Sequence, residues 1–304
     1  MVSCSLRSSL LGSLLLVGAL LALLAGVVSP ARVGVAAQEA TPSPELLADV
    51  GEDGRLTGCV DPSFPPMEYY EDQDAETPIG FDVDLVTEIG RRLGIEVDLV
   101  ATEFTGLLPG LEAGRCDIIA SGIYLTAERL QTFAAQPYFD SSVVLLTLAD
   151  NEEIASPQDL SGKTIAVQSG TNYINIMDAL NEELRAAGED EVNVQTYPRQ
   201  TDAIQQLIVG RADATITQDT EAAFRETAQP GQFTIAYTYP DPETFGIYYR
   251  PDATGLGAAL ASTVEAMRDD GTLAALATTW NLPQAGADFS MPDFSATPVA
   301  TPAS

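Results

Sequence analysis

Histidine is absent from the 304 residues, lysine occurs once, at Lys163, and there are only three cysteines. The missing histidine removes Ser-His-Asp and Cys-His catalysis and the commonest metal ligand. No cysteine cluster or spaced set of carboxylates offers a substitute, so no metal and no cofactor are expected. A basic surface is also missing: 14 Lys+Arg against 44 Asp+Glu leave a net charge of −30. That balance argues against a nucleic-acid partner. It describes a self-repelling surface and says little about ligand charge.

What is present sorts into ends and a middle. Arg7, the apolar run Leu10 to Val28 and the small residues Val35-Ala36-Ala37 read as a signal peptide over 1–37, cleaved before Gln38. The apolar run is also long enough to span a bilayer, so retention by an uncleaved anchor is the alternative. Either way the chain is expected outside the cytoplasm, periplasmic or at the cell surface. Residues 38–54 and 285–304 are rich in Ala, Thr, Pro, Ser and acids. They are expected as a flexible linker and a disordered tail. Of the cysteines left after cleavage, Cys59 lies late in one expected strand and Cys116 at the start of another. Two buried thiols, rather than a bridge, are expected from that separation.

From Leu56 onward short apolar strands alternate with helical patterns, the mark of α/β layering. Gly80-Phe81-Asp82 opens a helix with Asp82 as N-cap, Leu85, Ile89 and Leu93 as its apolar stripe and Gly94 as its C-cap. Further on, Ile118-Ile119-Ala120 is a buried strand that runs through Ser121 to Arg129. An arginine at the mouth of such a strand presents a fork that matches a carboxylate. The alternative is a structural arginine paired with Glu128 or Asp117. Strand ends converging between α/β layers are where small ligands bind.

Several segments occur in one order: Asp61-Pro62-Ser63-Phe64-Pro65-Pro66-Met67-Glu68, Gly80-Phe81-Asp82-Val83-Asp84-Leu85, Phe104 to Leu111, Ser121 to Arg129, Pro137-Tyr138-Phe139, Val167-Gln168-Ser169-Gly170-Thr171, Gly210-Arg211-Ala212-Asp213-Ala214 and Arg268 to Leu273. With them, roughly residues 55–284 resemble the amino-acid-type (family 3) solute-binding proteins of ABC uptake systems. The resemblance implies a type II periplasmic-binding-protein-like fold of two α/β lobes, with lobe one at 55–143 and 245–284 and lobe two at 144–244. It places extended hinge crossings near Val143–Leu148 and Thr244–Tyr249. It further implies a non-catalytic monomer that closes on an amino acid or similar carboxylate and delivers it to an ABC permease. The alternative on the same fold is a dehydratase or lyase with Glu68 or Glu103 as general acid, although both read more simply as surface carboxylates.

The same resemblance assigns residues. Arg129 falls at the carboxylate clamp, with Ser121, Gly122 and Tyr124 beside it; Ser121 offers a hydroxyl and the backbone there offers amides. Tyr124 departs from the small hydroxyl residue or methionine usual in the family. Phe64 and Phe104 match aromatic walls, and Asp61 either meets a polar ligand tail or only forms a turn. Across the cleft Gln168 tunes specificity, while Thr171 and Asn172 open a helix whose amides suit an anion. Where the family carries an aspartate for the α-ammonium group this chain has Gln218, followed by Asp219. Either Asp219 takes that role or Gln218 replaces an ion pair with a neutral hydrogen bond.

Overall fold

Strand pairing divides residues 41–292 of this computed structural model, which are described apart from 52, 73 and 290, between two five-stranded sheets. A short helix α1 (Pro44–Asp49) precedes β1 (Leu56–Val60), the small hairpin β2 (Ser63–Phe64) and β3 (Glu68–Tyr69), and α2 (Phe81–Leu93). Then come β4 (Val97–Ala101), α3 (Phe104–Glu112), β5 (Ile118–Ile119) and β6 (Ala134–Ser141). The middle of the chain supplies β7 (Val143–Leu148), β8 (Thr164–Gln168), α4 (Tyr173–Ala187), β9 (Asn193–Tyr197), α5 (Gln200–Ile208), β10 (Ala214–Gln218), α6 (Asp219–Ala228) and β11 (Phe233–Thr238). Strand β12 (Glu243–Tyr249) and helices α7 (Thr254–Asp269) and α8 (Thr272–Thr279) return to the first sheet's side.

The first sheet runs β4-β1-β5-β12-β6 and the second β11-β7-β10-β8-β9. In each, the helix-connected strands pair in parallel and the strands nearest the crossings pair antiparallel. This is the two-lobed α/β architecture. The runs at the expected crossings, Val143–Leu148 and Thr244–Tyr249, are extended and belong to the sheets as strands. The chain passes between sheets at residue 142 and again over 239–242. Extended apolar sequence reads the same in a strand and in a crossing, so the pattern alone placed them too broadly.

Three further expectations are corrected. Asp82 does not cap α2: Gly80 holds the N-cap position at φ 142, and Asp82 is the second residue of the helix, fully buried. The backbone passes so close there that a Cβ on Gly80 would meet the Met67 carbonyl oxygen at 2.1 Å. Cys59 and Cys116 form a disulfide, with Cα atoms 5.7 Å apart. Cys116 precedes β5 on the turn out of α3, so it sits over the face of β1 to which Cys59 points, among Leu107, Leu111 and Ile119. Finally, the ends are not wholly loose. Ser43 caps α1, Leu46 is buried, and the Asp49 carboxylate accepts hydrogen bonds from the first amides of α7, Gly255 and Leu256. Residues 284–287 form a 3₁₀ turn, with Phe289 buried beside it. The segment expected as a signal peptide, 1–37, and the rest of the tail from 293 lie outside the described residues. Among the described residues no helix is long and apolar enough to cross a membrane.

Candidate functional site

The C-terminal ends of β1 and β5 open side by side, and the turns that follow build one wall of a cleft. Asp61 ends β1 and is buried; its Oδ2 accepts hydrogen bonds from Ser63 Oγ at 3.0 Å and, across the cleft, from Gln168 Nε2 at 2.7 Å. Burial raises its pKa to about 6 despite those two donors. The Asp61 amide donates to Ser121 Oγ, which donates in turn to Glu68 Oε1. Gly122 donates its amide to Asp82 Oδ2 at 2.7 Å. Its φ of 49 and a Phe64 ring 2.8 Å from any Cβ leave room for glycine alone. The hydroxyl proton of Ser121 and the amide of Gly122, expected to face a ligand, are thus both committed to interior carboxyls. These residues still line the cleft, and Phe64 packs beneath them.

Arg129 opens a short 3₁₀ turn at the mouth of this wall. Its Nη1 donates to the Tyr124 carbonyl oxygen at 2.7 Å, an oxygen that Tyr248 Oη also bonds. The guanidinium lies over the Phe104 ring at 5.9 Å, and Nη2 reaches the Gly170 carbonyl of the other lobe at 3.3 Å. Among the described residues no carboxylate pairs with it, and Asp117, one of the two acids considered for it, contacts Arg250 instead. The guanidinium is therefore held in place by carbonyls and an aromatic face, and the nearby Glu243 carboxyl feels its charge without forming a salt bridge to it. Tyr124 is buried and stacks on Phe245 at a centroid distance of 4.8 Å.

The opposite wall comes from the ends of β8 and β10. Gln168 ends β8, and its carbonyl accepts from Thr171 Oγ1 at 2.7 Å, tightening the turn into α4. Asn172 occupies the N-cap of α4 without capping a backbone amide; its Oδ1 accepts from Asn175 Nδ2 at 3.2 Å, and its Nδ2 donates to Glu243 Oε1 at 3.4 Å. Gln218 ends β10 and sends Nε2 toward the Gly122 carbonyl at 3.4 Å, while its Oε1 has no partner. Asp219 turns away: its carboxylate accepts from Ser141 Oγ, and it does not line the cleft. Of the two residues considered for the ammonium position, the fold brings Gln218 to the cleft and leaves Asp219 outside.

The free space between the walls amounts to about 20 Å³, roughly what one water needs and well below the size of small-ligand sites. Eleven of the twelve expected residues line it, all except Asp219. Three more line it that the sequence did not single out for binding: Glu68, Tyr173 and Gln200. Glu68, expected on the surface, is fully buried; Glu103, the other acid considered, is exposed before α3. Tyr173 Oη and Gln200 Oε1 are buried without partners. Tyr173 directly follows the Thr171-Asn172 turn, a signal that was available; nothing marked Gln200 among the polar residues of α5. The site thus offers one fixed cation, two buried acids, Asp61 and Glu68, and several neutral hydrogen-bonding groups.

Comparison with known proteins agrees with this geometry. Residues 56–283 match the family model described as bacterial extracellular solute-binding proteins, family 3. The L-cystine-binding protein TcyJ of Escherichia coli (strain K12) is 30% identical over 261 residues, 84% of this chain and 94% of the relative. Among solved structures, a mutant of ArgBP from T. maritima superposes with a TM-score of 0.67 at 31% identity, covering 78% of this chain and 99% of that one. An ancestral arginine-binding protein, solved with arginine and with glutamine, gives 0.67 at 28% identity over 75% of this chain and 98% or 97% of that one. These relatives are named as binding proteins. The chain belongs to the bacterial extracellular solute-binding proteins, family 3.

Proposed function

We propose that this chain captures a free amino acid between its two lobes, holds the carboxylate on Arg129 and hands the ligand to an ABC permease. The observation that carries the reading is the state of Arg129: a guanidinium anchored by the Tyr124 carbonyl, laid on Phe104 and lacking an acid partner among the described residues. A ligand carboxylate supplies the missing charge through two parallel hydrogen bonds. Across the cleft the amides at the start of α4, near Thr171 and Asn172, reach the same carboxylate when the lobes close. The ligand stem lies between Phe64 and Phe104, and its α-amino group meets the free Oε1 of Gln218. Lobe one, 55–143 and 245–284, carries the charge, and lobe two, 144–244, closes over it. A monomer exported by its N-terminal segment suffices for this cycle.

Thermal shift of the chain from Gln38 with L-arginine, L-cystine and L-glutamine tests the reading. A ligand at 100 times its dissociation constant adds about 2.7 kcal/mol of stability. The expected result is a rise in melting for at least one of the three and none for its decarboxylated amine. A panel without any shift, or an Arg129→Ala variant of undiminished affinity, overturns the clamp. Of the two acids considered for the dehydratase or lyase alternative, Glu103 is exposed and outside the cleft lining, and Glu68 is committed to Ser121.

A further inference from the structure

Behind the Arg129 wall two acids meet without a cation. Glu68 and Asp82 are both fully buried, and no arginine or lysine pairs with either among the described residues. Two backbone hydrogen bonds dock the start of α2 onto the segment carrying Glu68, Phe81 N to the Pro66 carbonyl and Asp82 N to the Met67 carbonyl. The close pass at Gly80 fixes the two segments against each other. Each carboxyl uses one oxygen on the binding wall. Glu68 Oε1 accepts from Ser121 Oγ at 2.7 Å, and Asp82 Oδ2 accepts from Gly122 N at 2.7 Å and Tyr138 Oη at 2.9 Å. The other oxygens, Glu68 Oε2 and Asp82 Oδ1, are bonded by no other group.

Two adjacent buried carboxylates cannot both stay ionised in a site without cations. We propose that Glu68 keeps a proton, donates it to Asp82, and with that partner acts as a positioning pair that holds the Ser121–Gly122 turn beneath the ligand. One shared proton satisfies both remaining oxygens. The negative charge settles on Asp82, which has three donors and lies in the first turn of α2, where the helix dipole favours an anion. The proton settles on Glu68, which accepts a single hydroxyl. Burial and the neighbouring Asp82 hold the Glu68 pKa well above the usual carboxylate range, and the two groups hydrogen-bond each other. The groups facing the pair are Asp61 from the end of β1, Tyr138 from β6 and the Ser121–Gly122 turn after β5, none of them cationic.

The role of the turn in binding rests on the clamp reading above, so the test uses protein without ligand and stands apart from any failure of that reading. Infrared spectra at mildly alkaline pH are expected to show a protonated carboxyl band in the wild-type chain, absent from Glu68→Gln. A glutamine there donates to Asp82 and accepts from Ser121, as the protonated acid does. A raised carboxyl pKa stabilises the fold most at low pH and loses that contribution as pH rises. Melting of the wild type therefore falls from acidic to alkaline pH more steeply than that of Glu68→Gln. Amide exchange at Gly122 stays slow in Glu68→Gln and speeds on the order of tenfold in Glu68→Met, which leaves Asp82 Oδ1 and the Ser121 hydroxyl proton without a partner. A band that survives in Glu68→Gln, an unchanged pH slope, or Gly122 protection retained in Glu68→Met overturns the pair. If Glu68→Met fails to fold, the band and the slope still decide.

Discussion

The two walls of the cleft are made of different chemistry. The wall from β1 and β5 carries charge: Arg129, Asp61 and, behind them, the Glu68–Asp82 pair, tied together by side-chain bonds to Ser121 and Gly122. The wall from β8 and β10 is neutral: Gln168, Thr171, Asn172, Gln200 and Gln218, with amide oxygens on two of them left without partners. A buried charge is costly unless paired, whereas a neutral amide is less so. Closing the cleft buries Arg129 against two carbonyls, the Phe104 face and the field of Glu243, and a ligand carboxylate would add the directly paired charge. On the proposed reading the contrast is a division of labour: the charged wall fixes where a ligand sits, and the neutral wall closes over it without adding a charge of its own.

Removing the charge should have the largest effect. Arg129→Ala is expected to cost ~3–5 kcal/mol of affinity, the range for breaking a buried ion pair, against ~1 kcal/mol for Thr171→Val on the neutral wall. Isothermal titration with whichever amino acid of the panel binds reads both numbers. Equal losses would erase the distinction between the walls.

Next in size is the staple beneath the charged wall. The Cys59–Cys116 bridge ties β1 to the turn after α3, while residues 144–244 contain no cysteine at all. Replacing both with serine should cost ~2–4 kcal/mol. Hydrogen exchange should place the loss in β1, α3 and β5 and leave β8 and β10 protected. If the second sheet loosens as much as the first, the lobes do not behave as separate units.

Much of this was legible in the chain itself. The α/β order and the position of Arg129 followed from strand periodicity and from a strand emptying onto an arginine, and eleven cleft residues were named in advance. The misses share a cause. Asp82 had the composition of a helix cap and Glu68 that of a surface acid, because sequence shows a residue's type and not which buried group meets it. The pairing across Gly80 that buries both is a contact between segments. Strand β6 escaped because Ala134 to Ser141 lacks an alternating pattern, its burial coming from β12 beside it and the buried Gly286 against Phe139. The disulfide was missed for a related reason: position along a strand does not say that a preceding turn folds back over its face.

Gln218 tests the neutral wall more finely. Gln218→Asp places a carboxylate where a free amide oxygen now points, and an ionised partner for an α-ammonium group should gain ~1–2 kcal/mol over the neutral one. Affinity for the amino acid should rise about tenfold and that for its deaminated analogue should fall. If both change together, Gln218 does not face the amino group, and the ligand lies in the cleft the other way round.

The smallest effect expected is at Asp61, where an acid of the charged wall bonds Gln168 of the neutral one. Its pKa is raised to about 6, chiefly by burial, so its contribution to stability is complete below the ordinary aspartate range and is lost as pH rises through 6. Asp61→Asn keeps an acceptor for Gln168 Nε2 and removes that loss. Without ligand the variant should melt a few degrees, roughly 2–4 °C, above the wild type at neutral pH, and the difference should vanish in acid. With ligand the sign depends on what the acid meets. Affinity for L-arginine should drop in Asp61→Asn if the ligand's cationic end lies there, while affinity for L-glutamine changes little. Losses of equal size would mean that Asp61 serves the Gln168 contact and closure alone, and that the charged wall reads a ligand only through Arg129.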